Sequence, residues 1–272
     1  MRHLNGIGAV MRAIPSEALT LDDLGMPPSV KNFCRQTQGM ILVTGKTGSG
    51  KSTTLAAMVD AINVRLKGHI LTVEDPIEFV HQRKGCLISQ CEVGIHTENF
   101  ASALHSALRE DPDVILVGEL RDLETISAAV TAAEMGILVM GTLHTNGAGQ
   151  TVDRIVNTFS ADKKSHIRTM LSTSLRDVIS QQLLPTKDKS GRVAALEILV
   201  NTTAVANIIR QGKMDQLETA MQSGRSNGMQ TMDNALMDLV RKGRIGALEA
   251  YQQSNNKHKF KRLVEEELAQ EM

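Results

Sequence analysis

Short apolar runs alternate with longer helical stretches from Val30 to about residue 200. The runs are "MILVTG", "HILTVED", "DVILVGE", "ILVMGTLHT" and "RVAALEILV". Runs that are this short and rich in β-branched residues are typical of strands buried on both faces of a parallel sheet. Strands that alternate with helices predict an α/β fold, with a mostly parallel sheet covered by helices.

The pattern changes at both ends of this region. In "TMDNALMDLV" the apolar residues, which include Met232, Leu236 and Val240, fall on one helical stripe, so residues 201–272 are predicted to form a small helical subdomain. Three prolines predict a linker over residues 14–30, and "GIGAVMRAIP" before it resembles the tail of a strand. The predicted division is therefore 1–29, a remnant of an N-terminal domain with a linker, 30–200, the α/β core, and 201–272.

The first predicted strand leads into a glycine-rich turn, "GKTGSGKST". Gly45-x-x-x-x-Gly50-Lys51-Ser52 is the pattern of a phosphate-binding loop, in which the lysine reaches the terminal phosphates and the serine holds Mg²⁺. The alternative is a chance glycine-rich turn. A strand before the turn and a helix predicted over 53–64 after it favour phosphate binding. The predicted nucleotide-binding residues are Thr47, Gly48, Ser49, Gly50, Lys51, Ser52 and Thr53.

Polar residues follow three of the predicted strands. They are Glu74 and Asp75, Glu119, and His144. Because ligands of α/β sheets bind at the carboxyl ends of the strands, these side chains are expected to share one crevice with the loop. Glu74 is the candidate to orient or deprotonate a water molecule. Glu119 is the candidate to hold Mg²⁺ through water, alone or with Asp75, and His144 to sense the terminal phosphate.

Each of these candidates has a simpler interpretation. "EDPIE" suits the start of a helix, with the acidic pair as its cap. Taken alone, His144 is better explained as a half-buried histidine with satisfied hydrogen bonds, but its position beside the proposed phosphate site favours a functional role. For Arg121 the preferred interpretation is a surface ion pair with Asp122 or Glu124.

Two further arginines, Arg109 and Arg154, lie near these segments in the sequence. An arginine supplied by a neighbouring subunit stabilises transition-state charge in phosphoryl transfer, and both residues are candidates for that role.

Composition narrows the possible partners. Lys plus Arg and Asp plus Glu are both 30, and aromatic residues make up 2% of the chain, so a global attraction to nucleic acid and a base-stacking platform are both unsupported. Three cysteines without a CxxC pair argue against a disulfide framework or a four-cysteine zinc site, and fit a reducing cytoplasm. The apolar runs are too short to span a bilayer, and no integral membrane segment is expected.

Four segments in order, "GKTGSGKST", "TVEDPIEF", "LREDPDVILVGELRD" and "GTLHTNGAGQTVDRI", resemble the Walker A, Asp box, Walker B and His box of secretion ATPases. The resemblance is to the PilT-like motors of type IV pilus retraction. It implies a RecA-like core and hydrolysis of ATP with Mg²⁺. It also implies a homo-hexameric ring in the cytoplasm, peripheral to the bacterial inner membrane. Expected partners are the inner-membrane platform protein of the pilus and a paralogous pilus ATPase.

The resemblance assigns roles residue by residue. Glu74 becomes the catalytic glutamate, Glu119 the Walker B acid and His144 the His-box histidine. Arg109 and Arg154 match family arginines near the subunit interface. Most of the family's N-terminal domain is expected to be missing here, which predicts weaker ATP turnover and poorer hexamer formation.

Other functions stay open at this stage. "AVANIIRQGK" resembles a family motif linked to retraction but carries Ala206 for its arginine and Gln211 for its glutamate. An accessory PilU-like motor is therefore one alternative. A nucleotide-binding regulator with little activity of its own is another, and a nucleic-acid translocase a less favoured one.

Overall fold

A computed structural model of the protein describes residues 2–3, 6–7 and 18–271. Two short N-terminal strands, β1 (Arg2–His3) and β2 (Gly6–Ile7), pair antiparallel. The remainder of the strand tail predicted in "GIGAVMRAIP" lies outside the described residues. Residues 18–30 of the predicted linker lie against the core, because Leu21, Met26 and Val30 are buried there.

A seven-stranded sheet forms the centre of the molecule. Its strands are β3 (Gly39–Thr44), β4 (His69–Glu74), β5 (Leu87–Glu92), β6 (Val114–Val117), β7 (Leu138–Leu143), β8 (Leu175–Pro185) and β9 (Arg192–Val200). Their spatial order is β5-β4-β6-β7-β3-β8-β9. All neighbours pair parallel except β8 and β9, which are antiparallel. The predicted α/β fold with a mostly parallel sheet is confirmed.

Helices connect the strands and follow the last of them. They are α1 (Pro28–Phe33), α2 (Lys51–Arg65), α3 (Phe100–Ala107), α4 (Leu123–Glu134), α5 (Ala148–Thr158), α6 (Lys164–Ser174), α7 (Thr203–Gln211), α8 (Leu217–Ser223), α9 (Met232–Arg241), α10 (Ala247–Gln253) and α11 (His258–Glu271). Two short 3₁₀ turns lie at Met214–Gln216 and Arg225–Asn227. Among the described helices, none combines the length and the apolar character that crossing a bilayer requires.

The strands send alternate side chains into two apolar layers. On β3, Met40 and Leu42 face a layer formed mainly with α3 to α7, whereas Ile41 and Val43 face α1 and α2. This alternation follows from the two-residue period of a strand, and it explains why β3 is apolar at every core position. Because these strands pair in parallel, their carboxyl ends lie at one edge of the sheet.

The C-terminal part of the chain is helical, as the apolar stripe of "TMDNALMDLV" predicts. A third apolar cluster, which includes Leu236, Ile245 and Phe260, joins α9 to α11 and the far end of the β8–β9 pair. The segment just before α9 is also attached to the sheet, by backbone hydrogen bonds in both directions between Gln230 and Ile198. The division at residue 200 stays a prediction, but the change from sheet to helices occurs there.

Candidate nucleotide-binding site

The phosphate loop joins the end of β3 to the start of α2. Gly48 has a φ of 78° and Gly50, the residue before the helix, a φ of 86°, conformations that side chains resist. Helix α2 begins at Lys51, two residues before the predicted start, and no side chain caps its first amides. Free amides at a helix N-terminus, where the helix dipole is positive, are suited to an anion.

Lys51 is held inside this loop. Its Nζ donates hydrogen bonds to the carbonyl oxygens of Gly45, at 2.9 Å, and Lys46, at 3.1 Å. The side chain is buried, and burial lowers the pKa of Lys51, while the charges of Glu119 and Glu78 act in the opposite direction. A phosphate that enters the loop therefore meets an ammonium group with little competing water.

Glu74 lies at the end of β4, which is separated from β3 in the sheet by two strands, β6 and β7. Its Oε1 accepts hydrogen bonds from Thr72 Oγ1, at 2.7 Å, and Gln90 Nε2, at 3.2 Å. Burial raises the pKa of Glu74, and these hydrogen bonds limit the rise. The alternative of a helix cap is wrong, because residues 75–83 contain no helix. A fixed, partly desolvated carboxylate of this kind is suited to act as a general base.

Glu119 connects two other polar side chains of the site. Its Oε2 lies 2.6 Å from Arg121 Nη2, and its Oε1 lies 3.2 Å from His144 Nε2. His144 Nδ1 in turn lies 3.5 Å from Lys51 Nζ. Partial burial acts to raise the pKa of Glu119, but the hydrogen bonds and charges of Arg121 and His144 hold that pKa below its usual range.

The preferred sequence interpretation of Arg121 was wrong. Its guanidinium pairs with Glu119 rather than with Asp122 or Glu124, and it faces the cleft. Asp122 instead caps α4, where its Oδ1 accepts a hydrogen bond from the Thr125 backbone N–H at 2.8 Å. Asp122 is adjacent to Arg121 in sequence but is not its partner in space, so proximity in sequence favoured the wrong pair.

Gly118 precedes Glu119 and leaves room beside the catalytic candidate. A Cβ on Gly118 would lie 3.2 Å from the Glu74 Cα and 3.2 Å from the Val73 carbonyl oxygen. The Gly118 carbonyl oxygen accepts a hydrogen bond from Thr142 Oγ1 at 2.6 Å. A larger residue at this strand end would therefore make a tight contact with β4.

A cleft of about 590 Å³ brings these parts together. Of the predicted site residues, those that line it are Thr47, Gly48, Gly50, Lys51, Ser52, Thr53, Glu74, Asp75, Glu119 and His144. Ser49, which also belongs to the loop, is buried and does not line the cleft. Arg109 and Arg154 are exposed and do not line this cleft. A nucleotide that they contact would therefore have to be bound to a neighbouring subunit.

The residues present fit a nucleotide and its magnesium ion. The loop offers amides and an ammonium to phosphate, and the cleft volume is in the range of small-ligand sites. In the described part of the chain, no group of three or more His, Cys, Asp or Glu side chains could hold a metal alone. Ser52, Asp75 and Glu119 line the cleft, and Mg²⁺ commonly takes one or two carboxylates and completes its shell with water and substrate phosphates.

A second cleft, of about 760 Å³, lies beside α9. Its most buried charged group is Asp233, whose carboxylate accepts hydrogen bonds from the backbone N–H groups of Asn255, at 2.8 Å, and Asn256, at 3.1 Å. This carboxylate is already used within the fold, and the cleft lies away from the phosphate loop. The smaller cleft is therefore the candidate site.

Strand β8 contributes two residues that the sequence interpretation missed. Ser180 Oγ accepts a hydrogen bond from the Gly147 N–H at 2.9 Å, and Gln181 Nε2 donates to the Ser49 carbonyl oxygen at 2.6 Å. The pair thus contacts both the loop after His144 and the phosphate loop. The available signal was the polar pair that directly follows Val178 and Ile179 inside an apolar run.

Comparison with known proteins places this arrangement in a family. The family model described as "Type II/IV secretion system protein" matches residues 2–270. The type IV pilus retraction ATPase PilT of Pseudomonas aeruginosa is 57% identical over 88% of this chain and 70% of its own length. The type IV pilus ATPase PilU of the same organism is 43% identical over 89% of this chain and 63% of its own length.

A solved structure agrees with these matches. The crystal structure of the pilus retraction motor PilT with bound ADP superposes with a TM-score of 0.87, at 47% identity, over 92% of this chain and 71% of that chain. The matches confirm the predicted RecA-like ATPase fold and the predicted enzyme class, an ATPase, and they support nucleotide binding. The chain belongs to the type II/IV secretion system protein family.

Proposed function

We propose that this chain hydrolyses Mg-ATP in the cleft and that the nucleotide cycle drives retraction of a type IV pilus. The observation that supports it best is the convergence of Lys51, Glu74, Glu119 and His144 on one cleft at the carboxyl edge of the sheet. A phosphate loop, a desolvated carboxylate and a second acid are the parts that phosphoryl transfer to water requires.

In this mechanism Lys51 and the first amides of α2 hold the phosphates. Glu74 orients a water molecule and accepts its proton as the water oxygen bonds to the terminal phosphorus. The bond from that phosphorus to the bridging oxygen breaks, and ADP keeps the electron pair. Ser52 and Glu119, with Asp75, are the residues that would hold Mg²⁺, which neutralises charge on the phosphates when it is bound.

His144 connects the acid and the lysine of this site, since its two ring nitrogens lie near Glu119 and Lys51. A change in phosphate occupancy that moves Lys51 would thereby change the environment of the loop that starts α5. We assign His144 the role of sensing the terminal phosphate on this ground.

We further propose that the chain acts as a homo-hexameric ring on the cytoplasmic side of the inner membrane, against the platform protein of the pilus. Arg109 and Arg154 are exposed on α3's C-terminal side and on α5, where a neighbouring copy is able to meet them. The higher identity to PilT than to PilU, 57% against 43%, favours retraction over an accessory role. Ala206 and Gln211 lie on α7 outside the buried core, so these departures alter a surface.

The test is phosphate release by the purified chain with Mg²⁺ and ATP, beside the Lys51→Ala variant. We expect turnover by the wild type, none above background by the variant, and no stimulation by single-stranded DNA or RNA. Complementation of a retraction-deficient strain by the wild type but not by the variant tests the pilus role. Stimulation by nucleic acid would favour the translocase, and equal turnover by the two proteins would refute the assigned site.

A further inference from the structure

The side chain of Gln181 connects the phosphate loop to the first turn of α2. Its Nε2 donates a hydrogen bond to the Ser49 carbonyl oxygen at 2.6 Å, and its Oε1 accepts one from Thr54 Oγ1 at 2.8 Å. Ser49 belongs to the loop and Thr54 to the first turn of α2. Gln181 is 3% exposed, so water does not compete for these hydrogen bonds.

Gln181 also lies in close contact with the two glycines of the phosphate loop. A Cβ on Gly45 would lie 2.3 Å from the Gln181 carbonyl oxygen, and one on Gly50 would lie 2.8 Å from Gln181 Nε2. The two glycines of the motif therefore allow the loop to lie directly against Gln181. Thr44, the last residue of β3, pairs in parallel with Ser180, so Gln181 is the first residue of β8 beyond the end of β3. Gln181 follows at the point where the loop begins.

Gln181 and its neighbour act on opposite faces of the sheet. Successive side chains of a strand point to opposite faces, so Ser180 reaches Gly147 in the loop after His144 while Gln181 reaches the phosphate loop. One strand thereby fixes both loops that border the phosphates. A loop held in its binding geometry before the ligand arrives loses less entropy on binding, which raises affinity.

We propose that Gln181 is a positioning residue that holds the phosphate loop in its nucleotide-binding conformation. The inference rests on the proposed nucleotide site but not on hydrolysis, because it concerns affinity for ADP as much as for ATP. It assigns to a β8 side chain a function in nucleotide binding that the four motifs do not contain.

The test is the dissociation constant of ADP, measured by titration calorimetry on the full chain. Gln181→Met keeps the length of the side chain and removes both hydrogen bonds, and we expect it to weaken ADP binding about tenfold. Gln181→Glu keeps the acceptor for Thr54 but sets a carboxylate against the Ser49 carbonyl oxygen, and we expect a larger loss. Thr54→Val, which removes one hydrogen bond and leaves the other, is expected to cause a smaller loss in the same direction.

Gln230→Met is the matched control. It removes a hydrogen bond of the same kind, from Gln230 Nε2 to the Leu196 carbonyl oxygen at 2.8 Å, on the β9 side of the sheet and outside the nucleotide cleft. We expect it to lower the melting temperature without changing the ADP dissociation constant. If Gln181→Met does not fold, Thr54→Val decides the question.

Dissociation constants within about twofold of wild type for both Gln181→Met and Thr54→Val would overturn the proposal, since lost hydrogen bonds of this kind are worth more than that. So would an equal loss in Gln230→Met. A wild type that hydrolyses no ATP but binds ADP, with the expected ranking of variants, would refute the proposed activity and leave this inference standing. A wild type that binds no nucleotide would overturn both.

Discussion

Arg121 Nη2 lies 2.6 Å from Glu119 Oε2, and the opposite oxygen of the same carboxylate lies 3.2 Å from His144 Nε2. Both oxygens that a metal-bound water would contact are therefore already paired. Glu119 is only partly exposed, and its pKa stays below the usual range because these partners outweigh the effect of burial. The carboxylate is ionised and ready for a cation, but a cation has to compete with a guanidinium.

This competition predicts an effect of Arg121 on magnesium. Arg121→Met frees one oxygen of Glu119, so we expect the Mg²⁺ concentration that half-saturates Mg-ADP binding to fall by about two- to fivefold, as removal of a partly exposed ion pair suggests. Arg262→Met, which removes a surface Arg–Glu pair on α11, is the control and is expected to change nothing. A lower half-saturating Mg²⁺ concentration in both variants, or a higher one in Arg121→Met, would contradict the competition.

The hydrogen bond from Thr72 to Glu74 leads to a prediction for the pH dependence of turnover. Burial raises the pKa of Glu74 and the hydrogen bond from Thr72 Oγ1 lowers it, so Thr72→Val is expected to raise that pKa further. A general base works only when deprotonated, and the acid limb of the kcat–pH profile should therefore move to higher pH by about half a unit to one unit.

The matched control for this change is Thr131→Val. Thr131 Oγ1 donates to the Ser127 carbonyl oxygen within α4, so this substitution removes a hydroxyl of the same kind outside the cleft. A limb that stays in place in Thr72→Val, or moves equally in Thr131→Val, would remove Glu74 as the group that titrates.

Asp177 predicts how stability depends on pH. It is buried on β8, its Oδ2 has no hydrogen-bond partner among the described residues, and burial raises its pKa to about 7 against an opposing effect of Arg176. The folded state thus binds a proton more tightly than the unfolded state. The corresponding stability is fully present below pH 3.8 and is lost as the pH rises through about 7.

Asp177→Asn removes this titration. At pH 8 we expect the variant to have a free energy of unfolding higher than wild type by about 1–4 kcal/mol, and at pH 4 a value close to it. Urea denaturation at a series of pH values measures the difference. Asp153→Asn, at an exposed position of α5, is the control. If the free energies of unfolding of Asp177→Asn and wild type differ by the same amount at every pH from 4 to 8, Asp177 is not the group responsible.

The sequence predicted those parts of the fold that have a simple period or a fixed spacing. Strands β3 and β6 were evident from their apolar runs because both of their faces are buried. Strand β5, "LISQCE", is an edge strand with partly exposed side chains, so it lacks that signature. Strand β8 starts directly after α6 at Leu175, with no turn residues to separate them, and polar residues interrupt its apolar run.

The same distinction applies to the candidate site. Lys51, Glu74, Glu119 and His144 follow strands whose direction the fold fixes, and they line one cleft as predicted. The side chains that hold them in place were not predicted. Gln90 and Gln181 come from the two missed strands, and Arg121 pairs with Glu119 rather than with Asp122 or Glu124. Such contacts depend on strand order and register, which a single sequence does not encode in a readable pattern.

ATP binding and turnover by Glu74→Gln test the central claim most directly. The substitution keeps the size of the side chain and removes its ability to accept a proton, while Lys51 and the loop stay intact. Filter binding of labelled ATP and phosphate release, measured on the same preparation beside wild type, separate the two steps. The account predicts ATP affinity within about threefold of wild type and turnover reduced by at least about a hundredfold. Turnover close to that of the wild type would contradict it.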